Sequence, residues 1–204
     1  IIHSNKNLPH VKFEDFDKCD LTDYRWAHFE ARSFSETKLM MLKIRDFNEM
    51  KPDEEKIKIS LELEKKRDEN LLLIKYVDVA ILGRDFAESE ILGCTDKKTA
   101  IYKLKQLTLN NEQYKNENCT LICPWGKDGA CALDIHGNYF ESPIFPCEKT
   151  VDTLGAGDTF TGGLLYSLMK DFDDIQEAII NGCKVAGFKC GFYGYDCIKD
   201  FSFK

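Results

Sequence analysis

The stretch Val151-Asp152-Thr153-Leu154-Gly155-Ala156-Gly157-Asp158-Thr159-Phe160 holds the residues best placed to do chemistry. Gly155 and Gly157 carry no Cβ, so a ligand can approach their backbone closely. The stretch runs straight into Phe160, Leu164 and Leu168, which share one helical face. It reads as a loop that opens a helix. The free N–H groups of a first helical turn, with the positive end of the macrodipole behind them, favour an anion. Asp158 stands beside that anion site. A carboxylate placed where negative charge already gathers suits one task, taking the proton of a hydroxyl that attacks a phosphate. The plainer reading is that an Asp in a first turn complements the dipole and that Gly-x-Gly is a common tight turn. Spacing excludes two other phosphate-binding devices. The third residue after Gly157 is Phe160 rather than Gly, and no Gly-x-x-x-x-Gly-Lys-Ser/Thr occurs in the chain.

The elements that must position this turn follow from periodicity. Residues 24–29 read as a buried strand emerging at the polar pair Glu30 and Arg32. A helix over 35 to about 50, stopped by Pro52, precedes a strand in which Ile57, Ile59, Leu61 and Leu63 alternate with polar residues. Next come a short helix around 67–75, a strand over 77–82, and helices over 84 to about 92 and over 97–107. Residues 119–125 read as a buried strand running into 126–129, and His136-Gly137-Asn138 turns a hairpin. A last long helix, capped by Asp173 or Asp174, carries Gly182, Cys183, Ala186, Gly187, Cys190 and Gly191 along a narrow flank. Small residues there mean either close helix packing or a flat slot for a planar ring. Strands alternating with helices over short connections predict a single domain over 1–204, a three-layer α/β/α sandwich on a mostly parallel sheet. Ligands of such sheets bind beyond the carboxyl ends of the strands. Glu30 and Arg32, Glu62 and Glu64, Arg84 and Asp85, and 125–129 are therefore expected along one edge with the 155–158 turn.

At 204 residues, 43% of them hydrophobic, the chain is long enough for one well-packed core. A net charge of −7, with basic residues scattered among acids, gives no footprint for nucleic acid. No apolar run approaches the roughly 20 residues that span a bilayer, and no signal peptide is visible, so a cytoplasmic protein with no membrane partner is expected. Nine cysteines form no Cys-x-x-Cys, and the four histidines show no helical pairing, so reduced core thiols are expected rather than zinc or disulfides. The chain opens at Ile1 inside what reads as a strand, followed by a loop over 4–9. This leads to the expectation that it is the C-terminal part of a longer protein.

Asp152 to Asp158 resembles, at all six fixed positions, the Asp-Thr-x-Gly-Ala-Gly-Asp signature of the ribokinase-like (PfkB) carbohydrate kinases. Further stretches are similar to the ketohexokinase branch of that family. They include Leu8-Pro9, Phe13-Glu14 to Asp20-Leu21-Thr22, His28-Phe29-Glu30-Ala31-Arg32, Glu62-Leu63-Glu64-Lys65 and the run from Gly182 to Gly191. The resemblance implies a ribokinase-like fold and transfer of the ATP γ-phosphate to a ketose, fructose to fructose 1-phosphate. It implies Asp158 as base and the N–H groups of Gly155, Ala156 and Gly157 as an anion hole. Phe145, Pro146, Phe160, Cys183, Ala186 and Cys190 would form the adenine pocket, with Arg84, Trp125, Gly126 and Gly129 near the phosphates or ribose. Glu30 and Arg32 join Asp158 as the substrate-side candidates. Asp152 resembles the acidic ligand of a monovalent-cation site, normally K+, completed by carbonyls near Gly191. Mg2+ would arrive with ATP, held mostly by phosphate and water. The family's Asn-x-x-Glu is absent after the 77–82 strand, where Asp85-Phe86-Ala87-Glu88 stands instead. In the family, most sugar contacts and a β-strand lid that forms a homodimer precede the segment matched here. Two alternatives stand beside the ketose kinase: another ribokinase-like sugar or nucleoside kinase, and a truncated nucleotide-binding protein without turnover. The late cysteines and Glu30-Ala31-Arg32 favour the first.

Overall fold

The computed structural model describes residues 9–64 and 66–203. Its helices are α1 (Phe13–Phe16), α2 (Phe34–Glu49), α3 (Arg84–Ala87), α4 (Lys97–Asn110), α5 (Ala156–Lys170) and α6 (Ile175–Lys189). Its strands are β1 (Trp26–Phe29), β2 (Lys58–Leu63), β3 (Val79–Leu82), β4 (Thr120–Pro124), β5 (Ala130–Leu133) and β6 (Tyr139–Ser142). They form one sheet in the order β1-β2-β3-β4-β5-β6. The first four are parallel and the last two antiparallel.

Both faces of the sheet are covered, which is why β3 is a continuous apolar run rather than an alternating one. Ala80 and Leu82 enter a core with residues of α2, α3 and α4, whereas Val79 and Ile81 enter a second core with Phe160, Leu164, Ile175 and Ile179 of α5 and α6. Helices on both faces make the three-layer sandwich that the alternation of elements predicts. Side-chain caps fix where two of them start. The Asp96 carboxylate accepts the Thr99 N–H at 2.8 Å, and Asp174, rather than Asp173, accepts the Glu177 N–H at 2.9 Å.

Three elements differ from expectation. β1 is half-buried rather than buried, because it is an end strand with β2 on one side only among the described residues. The helix expected over 84–92 is the single turn α3. There the Ser89 hydroxyl donates to the Phe86 carbonyl at 2.6 Å, and the Leu92 and Gly93 N–H groups turn back to the Ser89 carbonyl. The segment expected as a helix around 67–75 is a 3₁₀ run, Asp68–Tyr76. The strand and loop expected before residue 9, with Lys65, lie outside the described residues. All nine cysteines are free thiols, six of them buried. No helix among the described residues is long and apolar enough to cross a membrane.

Candidate active site

Gly155 precedes α5 at φ +72°, a left-handed conformation that suits glycine, and its carbonyl receives both the N–H and the hydroxyl of Thr159 at 2.9 Å. The Gly155 and Gly157 N–H groups meet no acceptor among the described residues, and neither does that of Asp158. Ala156 departs from expectation: its N–H donates to the Thr153 carbonyl at 3.2 Å, closing the turn from inside. The open donors are thus those of Gly155, Gly157 and Asp158. The Asp158 carboxylate is exposed in the same first turn.

The carboxyl end of β1 lies within electrostatic reach of this turn. Arg32 is paired with Glu30 at 2.5 Å. Glu30, with smaller contributions from Glu64 and Asp158, holds the Arg32 guanidinium pKa above its ordinary value. The chain leaves β1 through Ala31 at φ +50°, a conformation that costs a non-glycine residue about 1 kcal/mol. Arg32 thus feels the charge of Asp158, while its direct partner is Glu30.

A cavity of about 370 Å³ opens beside the turn. Of the ten residues expected around a nucleotide, eight line it: Gly126 and Gly129 after β4, Phe145 and Pro146 after β6, Phe160 from α5, and Cys183, Ala186 and Cys190 from α6. Arg84 and Trp125 do not. The Arg84 guanidinium lies over the Trp125 ring at 5.5 Å and is paired with Glu88 at 2.7 Å. The two readings of the small-residue flank divide by residue. A Cβ on Gly182 would stand 2.9 Å from the Phe160 ring, so Gly182 serves helix packing, while Cys183, Ala186 and Cys190 face the cavity. Gly187 does both, since a Cβ there would run into the Phe145 carbonyl that walls the slot. Burial pushes the Cys183 and Cys190 thiols up, Cys190 with help from Cys147, so both present neutral, soft surfaces. Sequence reasoning missed Thr150, which also lines the cavity, and gave no individual role to Lys127 and Thr153, which line it from within the 125–129 and 151–160 stretches. Lys127 was findable as the one cation inside the 126–129 loop.

Asp152 requires a correction. Its carboxylate Oδ2 and its carbonyl each accept a hydrogen bond from Lys189 Nζ at 2.9 Å, and the Leu154 carbonyl accepts a third at 2.6 Å. The ammonium, helped by the N–H groups of Leu154 and Gly194, holds the Asp152 carboxyl below the usual aspartate range. Lys189 is fully buried. A potassium ion against the same oxygens would have to occupy the place of the ammonium, so these residues do not fit a K+ site. The carbonyl near Gly191 is engaged too, because Cys190 accepts the Val151 and Asp152 N–H groups at 2.8 and 3.2 Å. At the end of β3, Glu88 is closed in its pair with Arg84, which leaves Asp85 as the open carboxylate of the Asp85 to Glu88 stretch. Among the described residues no three acidic, histidine or cysteine side chains gather as a metal site.

A mostly parallel sheet with a glycine turn, a helix N-terminus and an apolar slot beyond the ends of its strands is an open α/β fold with a ligand-sized cavity at its carboxyl edge. The chain belongs to the family described as pfkB family carbohydrate kinase, whose sequence model matches residues 53–196. It is 39% identical over 198 residues to ketohexokinase of Mus musculus, covering 97% of this chain. It spans 63% of that relative's length. The fold is that of ribokinases of known structure. The Arabidopsis thaliana enzyme, solved with ribose and ATP, matches 93% of this chain and 56% of its own with a TM-score of 0.69 at 15% identity. The Giardia lamblia enzyme matches 87% of this chain and 57% of its own with a TM-score of 0.69 at 19% identity.

Proposed function

We propose that this chain carries the nucleotide site and the catalytic base of an ATP-dependent sugar kinase that phosphorylates a ketose, fructose to fructose 1-phosphate. The observation that carries this reading is one turn of backbone. The open N–H groups of Gly155 and Gly157 and the exposed carboxylate of Asp158 share it, and it borders the apolar cavity of about 370 Å³. The similarity to mouse ketohexokinase points to a ketose as acceptor.

The adenine lies between Phe145 and Pro146 on one wall and Ala186 and Cys183 on the other, directing the phosphates toward Lys127 and the α5 N-terminus. The sugar hydroxyl oxygen attacks the γ-phosphorus while the Asp158 carboxylate accepts the hydroxyl proton. The bond from the γ-phosphorus to the β–γ bridging oxygen breaks, and ADP leaves with that electron pair. Negative charge on the transferring group falls on the Gly155 and Gly157 N–H donors, which meet no protein acceptor among the described residues. Mg2+ bound to the nucleotide phosphates would neutralise further charge. Arg32 neutralises the carboxylate-rich acceptor side.

Asp158→Asn in the complete protein tests this. Turnover, read as ADP release with fructose, is expected to fall by about 10²–10⁴-fold while ADP affinity stays within about twofold. Near-normal turnover of that variant would refute the role of Asp158. Ribose or adenosine outperforming fructose would move the assignment to another acceptor.

A further inference from the structure

The Lys189 ammonium sits in the last turn of α6, with all three of its protons donated to oxygens of the Asp152 to Leu154 loop. Buried lysines are rare unless paired, and here the pairing is complete. The Tyr195 ring covers a further side at 5.6 Å. The same Tyr195 hydroxyl occupies the space that a Gly155 side chain would need. We infer that Lys189 is a tethered cation that holds the anion-binding turn in place of a free monovalent ion, so that this protein works without added potassium.

The physical link runs through one peptide plane. In a trans peptide the C=O and the following N–H point in opposite directions. Lys189 draws the Leu154 carbonyl inward at 2.6 Å, so the Gly155 N–H of the same peptide must point outward, where no protein acceptor meets it. The second hydrogen-bond layer is fixed as well: Asp152 Oδ1 accepts the Leu154 N–H at 2.9 Å, and the Val151 and Asp152 N–H groups are tied to the end of α6 through the Cys190 carbonyl. Lys189 is a positioning residue: it does not line the slot, and it sets the direction of the Gly155 N–H, a donor left open beside Ala156 and Gly157, which do line it. Its consequence for rate rests on the proposed kinase reading. Its consequence for cation dependence does not.

The test compares the complete wild-type protein with Lys189→Met in potassium chloride and in choline chloride at equal ionic strength. Thermal unfolding and calorimetric ADP binding are followed in each salt, and ADP release with fructose is added as a third readout. Wild type is expected to give the same melting temperature and the same ADP affinity within about twofold in both salts. Lys189→Met is expected to bind ADP at least about tenfold more weakly in choline and to regain most of that affinity, with a higher melting temperature, in potassium or ammonium chloride. A wild-type protein stabilised or tightened by potassium beyond choline would overturn the inference, and that arm stands even if the variant does not fold. A folded variant that no cation restores would also overturn it. Failure of wild type to bind ADP in either salt would count against the kinase reading, while the melting comparison would still decide the cation question.

Discussion

Gly187→Ala sets two effects of opposite sign against each other. Gly187 is inside α6, where replacing glycine by alanine ordinarily adds about 1 kcal/mol of stability. Its Cβ, however, would overlap the Phe145 carbonyl oxygen and stand 2.9 Å from the Phe145 carbonyl carbon, against 3.4 Å or more for ordinary contact. Both partners are backbone, so neither can swing aside as a side-chain tip would. The helix and the 143–146 segment must part, an overpacking cost of about 1–3 kcal/mol that offsets or exceeds the propensity gain. The segment that moves is the wall made by Phe145 and Pro146. Losing one aromatic contact of about 1–1.5 kcal/mol lowers ADP affinity by about tenfold. Gly162→Ala is the control, because it lies inside α5 with nothing within 4 Å of its Cβ. It is expected to raise the melting temperature by about 2–4 °C. Calorimetry with ADP and thermal unfolding on the three proteins decide the matter. If both variants gained stability alike and bound ADP as the parent does, the close approach of Gly187 to Phe145 would not be what shapes the slot.

Three further outcomes follow from single contacts. Asn70 is fully buried and, among the described residues, neither its Nδ2 nor its Oδ1 is hydrogen-bonded, so Asn70→Leu, of similar shape, is expected to stabilise by about 1–2 kcal/mol in denaturant titration. The Asp152 carboxyl is held below its ordinary value of 3.8, so its pairing contributes fully above that pH and is lost as pH falls through the lower folded value. From about pH 5 to about pH 3 the melting temperature should fall more steeply for wild type than for Asp152→Asn; equal slopes would contradict the pairing. Cys19 is exposed and should alkylate first, Cys119, pushed up to about 12 by burial, should not react in the folded state, and ADP should slow modification of Cys147 at the cavity wall. Mass spectrometry of timed alkylation reads all three.

Much of this molecule is legible in its sequence because the signals are local. The alternation of Ile57 to Leu63, the unbroken apolar run of β3 and the spacing of Phe160, Leu164 and Leu168 each report burial on a known face, and burial fixes the layer. The α6 side of the cavity is legible in that helix's small residues, whereas Phe145 and Pro146 were placed there only by the family resemblance. What escaped is set by competition between hydrogen bonds. Nothing in the spelling of 84–92 shows that the Ser89 hydroxyl would capture the Phe86 carbonyl and end the helix after one turn. Likewise the three N–H groups of Gly155, Ala156 and Gly157 look equivalent as letters. One of them is claimed by Thr153 only once the turn has closed.

Lys189 is the sharpest case, because its position suggests a different job. A lysine in the last turn of a helix ordinarily complements the dipole from the surface, and its own neighbours give no reason to bury it. The reason lies 37 residues earlier, in the Asp152 to Leu154 loop, whose two carbonyls and one carboxylate converge on the ammonium just before Gly155 enters the left-handed region ahead of α5. A loop that turns its carbonyls to one side gathers partial negative charge there. That charge requires a cation, free or tethered, for the front of the turn to keep its donors exposed. The chain closes the requirement with a residue from α6, the same helix that supplies the floor of the slot. Binding at the slot and orientation of the turn therefore share one rigid element, and a shift of α6 would disturb both at once.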